Sequence, residues 1–327
     1  MSSKVIKLFS AMAISASAFL ANAQADSSTY PSRTVSIIVP TTPGGTADIL
    51  GRLIGSKLAE MWGHPVVIEN KPGAGTLVGS EYVARAKPDG YTLMVTFNEL
   101  ATLPAINKNA RIDVVKDFVR IGKIGNLPVV ILGHPRLPQN TLQELIAEIR
   151  ANPGKYSYSS NGSGGVLQLY TEMFKQEAKI DVLHVPYRGA LEASTALLGG
   201  QVDVLVQFAS GNVKSYITSG RAKAYAVASP ARVEGILDVP TTAEAGLPSL
   251  SLEAWYGVFA PAGTPLAIIE KVNKDINKVL QMPDVQARLK SVGMFVETST
   301  PKEFDAFFKS EYARWTNLIK SAGIQAN

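Results

Sequence analysis

The feature that most constrains this fold is a strand that ends in a glycine-rich turn and continues directly into a helix. Residues 35–48 read VSIIVPTTPGGTAD, a short apolar run followed by Pro, Thr and Gly and then by an amphipathic pattern. A strand that stops just before a helix leaves backbone N–H groups unpaired at the helix N-terminus. These groups and the positive end of the helix dipole favour an anion. The segment therefore predicts a βα unit with an anion site at its turn.

The same arrangement recurs along the chain. Turns of small and polar residues between a strand and a helix are predicted at residues 40–48, 71–76, 160–165 and 186–190. Ligands of open α/β sheets bind at the carboxyl ends of strands, where such turns lie. Any one of these turns is also compatible with an ordinary βα connection. Four of them in one chain favour a ligand cleft that the turns share.

Strand-like and helix-like segments alternate over most of the chain, which is typical of parallel βαβ units. Strands are predicted at residues 35–39, 66–69, 91–95, 129–132, 156–159, 182–185, 202–206 and 222–228. From Pro261 onward the pattern is helical, and capping boxes are predicted at Thr141 and Thr300. The roughly 300 residues that follow the leader suit two domains better than one.

Residues 1–25 have the pattern of a secretory signal peptide. Lys4 and Lys7 precede a short apolar run over residues 9–20, and small residues allow cleavage near Ala23 or Ala25. The run is shorter than the about 20 apolar residues of a membrane-spanning helix. The sequence therefore predicts an exported protein, which in a bacterium is periplasmic.

Composition and motifs argue against several function classes. The chain has no Cys, and its net charge of +5 falls to +3 without the two leader lysines, too little to predict nucleic-acid binding. Residues 73–79 form G-x-G-x-x-x-G, a relative of the dinucleotide-binding motif, but outside the first βα unit and with Glu69 before the glycines rather than an acidic residue about 20 residues after them. Ser163 lacks a G-x-S-x-G frame, and His64, His134 and His184 are isolated. We expect no catalytic residue, no cofactor and no metal site.

Sequence blocks spread over the whole mature chain resemble one family, the substrate-binding proteins of tripartite tricarboxylate transporters, also called the Bug (Bordetella uptake) family. Among them are YPSR at 30–33, PGG at 43–45, ENKPGAG at 69–75, PDGYT at 88–92, HVPYRG at 184–189 and APAGTP at 260–265. Further blocks lie at 38–40, 115–118, 199–203, 239–241 and 244–248.

The resemblance implies an α/β protein of the two-lobed periplasmic binding protein class (type II-like). Each lobe would be a mostly parallel sheet flanked by helices, with the ligand cleft between the lobes. Lobe 1 would comprise residues 26–130 and 256–327, and lobe 2 residues 131–255. The protein would bind a small organic carboxylate and deliver it to a membrane transporter of one large and one small subunit. We expect a monomer. A ligand sensor that presents its closed form to a membrane signalling partner remains an alternative.

Matched position by position, the resemblance implies ligand contacts in three turns. These are Thr41, Thr42, Gly44, Gly45 and Asp48 in the first, Ser160, Asn161, Gly162 and Ser163 in the second, and Tyr187, Arg188 and Gly189 in the third. Asp48 has an alternative role, because at this position it can cap the helix that it opens. Arg188 either pairs with a carboxylate or lies in solvent at the rim of the cleft.

Two departures from the family pattern bear on ligand specificity. Thr96, Phe97, Asn98 and Glu99 stand where relatives have small residues, and Gln207 and Phe208 stand where Asp-Asn is common. Phe97 and Phe208 follow strands of opposite lobes, which predicts a flat ligand such as an aromatic carboxylate. Alternatively, each ring packs under its own loop. Glu99, if it faces the cleft, would repel a second carboxylate or select an amino or amide group.

Overall fold

The computed structural model describes residues 29–107, 109–250 and 252–324. The signal peptide predicted over residues 1–25 lies outside them. Of the helices in the described ranges, none has both the length and the apolar character that a membrane span requires.

The described residues form ten strands and ten helices. The strands are β1 (Val35–Val39), β2 (Val66–Asn70), β3 (Thr92–Phe97), β4 (Phe118–Gly133), β5 (Ser157–Ser160), β6 (Leu183–Pro186), β7 (Val204–Phe208), β8 (Lys223–Ala228), β9 (Glu253–Pro261) and β10 (Phe295–Val296). The helices are α1 (Thr46–Trp62), α2 (Leu77–Ala84), α3 (Glu99–Ile106), α4 (Leu142–Ala151), α5 (Val166–Ala178), α6 (Ala190–Leu198), α7 (Gly211–Thr218), α8 (Leu266–Leu280), α9 (Pro283–Ser291) and α10 (Pro301–Ser321).

Local sequence signals explain several helix ends. The capping boxes predicted at the starts of α4 and α10 are confirmed: Thr141 accepts the N–H of Glu144, and Thr300 accepts that of Glu303. α1 ends at Gly63, which has a left-handed φ of 66° and donates its N–H to the carbonyl of Ala59.

Two groups of parallel strands carry the predicted turns. In the first, β1 lies between β2 and β3, and Ser36 pairs with Val67 on one side and Thr92 on the other. In the second, β5 lies between β6 and β7, and Tyr158 pairs with His184 and Val204. Because the strands in each group are parallel, their carboxyl ends meet at one edge. These two edges carry the four turns that the sequence predicted.

The long strand β4 connects the two groups. Residues 118–128 pair antiparallel with β9, which itself lies beside β3, and residues 129–133 pair with β7 and β8. The result is an α/β fold with a mixed sheet in the order β2-β1-β3-β9-β4-β7-β5-β6. The α/β class is confirmed, with antiparallel strands added to the expected parallel ones.

The sequence prediction of β4 covered only residues 129–132, because charged residues interrupt its apolar pattern. Both charged side chains are buried and have partners. Arg120 donates to the carbonyls of Val114, Val115 and Phe118, and Lys123 contacts Glu297 at 2.7 Å. Buried charges are tolerated when they are paired in this way, so the strand continues through them.

Candidate functional site

The turn after β1 presents backbone to solvent at the start of α1. Thr42, Gly44 and Gly45 are exposed, and Thr41 is half-buried. Gly44 has a φ of +86°, a conformation that L side chains rarely adopt. Gly45 is the N-cap of α1 and makes no side-chain capping bond. The turn is therefore exposed at the helix start, with the N–H of Gly44 already bonded to Asp48.

Asp48 holds this turn together from inside. One carboxylate oxygen accepts the N–H of Gly44 at 2.9 Å and Nε of Arg52 at 3.0 Å, while the other accepts Nδ2 of Asn70 at 2.9 Å. Burial acts to raise the pKa of Asp48, but the hydrogen bonds from Arg52, Gly44 and Asn70 outweigh it and lower the pKa. Both oxygens are thus engaged within the protein, which favours the structural alternative for Asp48.

The turn after β2 contains consecutive residues in unusual backbone conformations. Gly73, Ala74, Gly75 and Thr76 all have positive φ, and two of them are not glycine. Non-glycine residues with positive φ are uncommon, and they cluster at functional sites. This observation makes the 71–76 turn part of the candidate site, although the sequence prediction named no ligand contact in it.

Unsatisfied polar atoms accumulate at the carboxyl ends of β1, β2 and β3. Oγ1 of Thr41, Thr76 and Thr96 and Oδ1 of Asn98 are buried and have no hydrogen-bond partner among the described residues. Nδ2 of Asn98, in contrast, donates to the hydroxyl of Tyr170 on α5. Buried polar atoms in native proteins are nearly always hydrogen-bonded. These four atoms therefore indicate a ligand or water site at this edge.

The two turns of the second strand group lie side by side and are linked by hydrogen bonds. Tyr187 donates its N–H to the carbonyl of Ser160 at 3.1 Å. The hydroxyl of Ser160 is buried, contacts Nε2 of His184 at 2.6 Å and donates to the carbonyl of Gly162. His184 stacks on Tyr158, and burial lowers the pKa of its imidazole. The Ser160 side chain thus positions the turn.

Asn161 is likewise fixed from within. Its Oδ1 accepts the N–H of Leu167, in the first turn of α5. At Gly165, the N-cap of α5, a Cβ would collide with the Asn161 side chain and force it to move away from its bond to Leu167. The turn and the helix start are therefore locked together.

A cavity of about 470 Å³ lies between the turns of the two strand groups. Gly164 approaches across it to Ile106 on α3, since a Cβ built on Gly164 would lie 3.4 Å from Cβ of Ile106. The lining residues are Ala74, Gly75, Glu99, Leu103, Ile106, Asn107, Asn109, Asn161, Ser163, Gly164 and Gly165. Of the predicted ligand contacts, Asn161 and Ser163 are among them.

Glu99 is the one ionisable side chain among the described lining residues. It is the first residue of α3 and is half-buried. Burial raises the pKa of Glu99 to about 7, against an ordinary value of 4.5. Glu99 is thus among the residues that line this cavity, which favours the alternative in which it faces the ligand.

Phe97 and Phe208 are the last residues of β3 and β7 and do not line the cavity. Each is half-buried against a tyrosine: Phe97 stacks on Tyr256 with ring centroids 5.6 Å apart, and Phe208 meets Tyr170 edge-on at 6.1 Å. These contacts favour the alternative in which each ring packs locally.

The remaining predicted contacts lie around the cavity rather than on it. Gln207 is buried, and its amide bonds to Ser194, to the carbonyl of Ala190 and to the N–H of Phe208. Arg188 is exposed. Tyr187 directs its hydroxyl to Gln201, and Gly189 begins α6 with a φ of +129°. Gly162 has a φ of +117° beside the carbonyl of Tyr187.

Sequence reasoning missed the contribution of α3, which supplies Leu103 and Ile106 to the cavity and leads to Asn107 and Asn109. Pro104 inside this helix obscured its pattern, because proline normally ends a helix. A signal was available in Asn98, a good N-cap residue followed by Glu in the first turn.

Known proteins of similar sequence span most of this chain. A UPF0065 protein encoded in the tcbD-tcbE intergenic region of a Pseudomonas species is 35% identical over 91% of this chain and 89% of its own length. Protein BugT of Bordetella pertussis is 32% identical over 91% of each chain.

Solved structures of similar proteins share the fold. The periplasmic binding protein BugD is 34% identical with a TM-score of 0.75, over 91% of this chain and 100% of its own. An R. palustris protein with adipate is 29% identical with a TM-score of 0.78, over 91% and 100%. MatC from Rhodopseudomonas palustris with bound malate is 32% identical with a TM-score of 0.74, over 89% and 100%.

A family profile described as "Tripartite tricarboxylate transporter family receptor" matches residues 50–324. Members of this family are periplasmic solute-binding receptors and not catalysts, which confirms the prediction that the chain is not an enzyme. The resemblance found in the sequence is confirmed as well: the chain belongs to the tripartite tricarboxylate transporter receptor family, the family of the Bug proteins.

Proposed function

We propose that this protein captures a small organic carboxylate in the cleft between its two strand groups and delivers it to a tripartite tricarboxylate-type membrane transporter. The observation that carries the proposal is the set of unsatisfied buried oxygens at the ends of β1, β2 and β3. Two of the residues that carry them, Thr76 and Asn98, follow or precede in sequence residues that line the cavity between the turns. Similar proteins with adipate and with malate support the ligand class.

The backbone around the cavity suits an anion without a salt bridge. The turns 40–45 and 160–165 lead into α1 and α5, whose N-caps Gly45 and Gly165 make no side-chain capping bond. N–H groups in the first turn of α1 can therefore serve carboxylate oxygens, whereas in α5 the N–H of Leu167 is already bonded to Oδ1 of Asn161. None of the described lining residues of the cavity is Lys, Arg or His.

The two-lobed organisation is part of the proposal. Lobe 1 would comprise residues 26–130 and 256–327, and lobe 2 residues 131–255. The chain would pass between the lobes along β4 and along β9. Two strand segments that connect the lobes are a suitable hinge, because a few residues in them can absorb the rotation of one lobe against the other. A ligand that contacts both lobes would then shift the open–closed equilibrium toward the closed form.

Further parts of the proposal concern location, partners and ligand shape. The chain would be exported, lose its leader near Ala23 or Ala25, and act as a periplasmic monomer that meets one large and one small transporter subunit. The closed form could equally be presented to a signalling partner. A flat aromatic carboxylate is the finer ligand hypothesis from the sequence, and the packing of Phe97 on Tyr256 and of Phe208 on Tyr170 argues against it.

Two experiments test the proposal. Mass spectrometry identifies any small molecule released when the purified protein is denatured, and an organic carboxylate is expected. Titration calorimetry with adipate, malate, benzoate and phthalate then ranks the ligand classes. Binding of none of them contradicts the carboxylate proposal, and binding of the aliphatic acids alone contradicts the aromatic hypothesis.

A Gly45→Leu variant tests the first turn directly. Position 45 has an ordinary negative φ, and a Cβ there meets only the Thr42 carbonyl and the Thr41 hydroxyl at 3.7–3.9 Å. We expect the variant to fold and to bind no carboxylate. Ser56→Leu, at an exposed position of the same helix, is the control for an added leucine. Unchanged affinity in Gly45→Leu would remove the first turn from the site.

A further inference from the structure

The cavity between the turns contains a carboxyl group, that of Glu99, and no oppositely charged side chain lines the cavity among the described residues. Glu99 begins α3, and the rest of that helix, LATLPAI, carries no charge. The other described lining residues are neutral: Leu103 and Ile106 are apolar, and Asn107, Asn109 and Asn161 carry amides. A carboxylate ligand in this cavity would meet a second carboxylate, and no described lining residue would place a cation between them.

Among the described residues, the elements around α3 carry charges that are paired away from Glu99. On the turn after β2, Lys71 is engaged elsewhere, with its Nζ 3.2 Å from Glu69 and over the ring of Tyr82 at 4.2 Å. On β9, Tyr256 is the titratable neighbour of Glu99, and it is a neutral phenol whose pKa is raised by burial.

The remaining neighbouring elements have charges that pair among themselves. On α10, which packs on α3, Glu311 accepts the indole N–H groups of Trp255 and Trp315 and contacts Arg314 at 3.2 Å. At the start of α1, Asp48 is paired with Arg52.

On α5, Glu172 is paired with Lys175 at 3.0 Å. The turn 160–165 that begins this helix contains no ionisable residue.

We propose that Glu99 is a proton-binding site of the ligand cavity, so that the protein captures a carboxylate anion together with one proton. This inference rests on the proposed function and specifies how that site takes its ligand. On binding, a proton from solvent is held by the Glu99 carboxyl, whose O–H then donates to an oxygen of the anion. On release, the anion leaves and the proton returns to solvent.

Physical chemistry favours this arrangement over two bare carboxylates. Like charges that share a site cannot both stay ionised at low cost, so one of them takes up a proton. A charge-assisted O–H···O⁻ bond is short and strong. The raised pKa of Glu99, about 7 in the free protein, leaves the carboxyl ready to accept that proton near neutral pH.

The test is titration calorimetry with adipate and with malate at several pH values between about 6.5 and 8.5, where both acids are ionised. Two buffers with different ionisation enthalpies at each pH count the protons exchanged. We expect uptake of nearly one proton per ligand at the alkaline end. Affinity should fall about tenfold per pH unit above the pKa of Glu99.

The Glu99→Gln variant keeps the shape and a hydrogen-bond donor but binds no proton. Its affinity should be independent of pH, with no proton uptake, and should exceed that of the unaltered protein at the alkaline end. Glu270→Gln, on the exposed surface of α8, should behave like the unaltered protein. The Lys108→Met variant is a second control, because Lys108 lies between the lining residues Asn107 and Asn109 in sequence. It should still take up one proton per ligand.

The outcomes separate the two proposals. Binding without proton uptake overturns the proton site, and so does binding with proton release, which is expected if a ligand ammonium group pairs with ionised Glu99. In both cases the proposal of a solute receptor stands. Equal uptake in Glu99→Gln also overturns it. Failure of both acids to bind at any pH overturns the carboxylate proposal, and the proton site with it.

Discussion

The two edges that face the cavity are built from the same strand–turn–helix unit but differ in how their polar groups are satisfied. At the edge of β1, β2 and β3, hydroxyl and amide oxygens are buried without partners. At the edge of β5, β6 and β7, the polar side chains of Ser160, Asn161 and Gln207 are all hydrogen-bonded within the protein. The second edge is therefore preorganised, whereas the first keeps its hydrogen-bonding capacity for a ligand.

This difference predicts opposite consequences for substitution. At the preorganised edge, a substitution should lower the stability of the protein, and ligand affinity should fall because the turn is no longer held in place. At the unsatisfied edge, a change should affect binding while the fold is unharmed or gains stability. A loss of stability is expected at that edge only in the ligand-bound protein. In the free protein the buried unpaired groups are already destabilising, so removing one of them does no harm.

The largest effect is expected from two glycines with matched backbones. Gly45 and Gly165 are both helix N-caps, with φ of −73° and −67°. An added Cβ at Gly165 collides with the Asn161 side chain, whereas at Gly45 its nearest neighbour is 3.7 Å away. Gly165→Ala should cost about 1–3 kcal/mol of unfolding free energy. Gly45→Ala should stay within about 0.5 kcal/mol.

Urea denaturation measures both variants. Because the backbone and the capping position match, any intrinsic effect of alanine at an N-cap cancels between them. Equal losses in the two variants would contradict the difference between the edges.

Glu99→Gln should change stability in a pH-dependent way. The folded-state pKa of about 7 exceeds the ordinary 4.5, so the folded protein binds this proton more tightly than the unfolded chain does. The stability from this proton is complete below the ordinary pKa and is lost as pH rises through about 7. The variant should therefore exceed the unaltered protein by about 1–3 kcal/mol at alkaline pH and match it in acid.

Chemical denaturation at about pH 4.5 and pH 8 measures this difference. Glu270→Gln serves as the control, because Glu270 is exposed. A gain of the same size at both pH values would show that Glu99 does not titrate differently in the folded protein.

The sequence predicted the repeated βα units and the turns, because strand and turn signals are local. It did not predict how far β4 extends, since Arg120 and Lys123 interrupt an apolar pattern and only tertiary partners make their burial acceptable. Nor did it predict α3, because Pro104 outweighed the start signal at Asn98.

Site prediction was limited by what a turn motif contains. It identifies residues such as Asn161 and Ser163 that line the cavity, but it does not show which polar groups are already satisfied. Asp48 and Ser160 look like ligand contacts in sequence, and their partners, Arg52 and His184, become known only in the folded chain. Whether a given turn residue binds ligand thus depends on long-range contacts.

At the preorganised edge, Ser160→Ala should destabilise the protein by about 1–2 kcal/mol. The substitution removes the bond to the Gly162 carbonyl and leaves Nε2 of the half-buried His184 without its 2.6 Å partner. Carboxylate affinity should fall as well, because the turn that presents Asn161 loses its anchor. Urea denaturation and calorimetry measure the two effects, and full stability in the variant would mean that this link is dispensable.

The smallest change in stability, and the clearest contrast with Ser160, is expected for Thr96→Val. Valine has the shape of threonine, and Oγ1 of Thr96 is buried without a partner among the described residues. Its removal should leave stability unchanged or raise it by about 0.5–1 kcal/mol, since an unsatisfied group disappears. If Oγ1 binds the ligand, affinity should fall by about 3- to 10-fold. A loss of stability comparable to that of Ser160→Ala would instead show that Thr96 is satisfied in the free protein, and the two edges would then not differ.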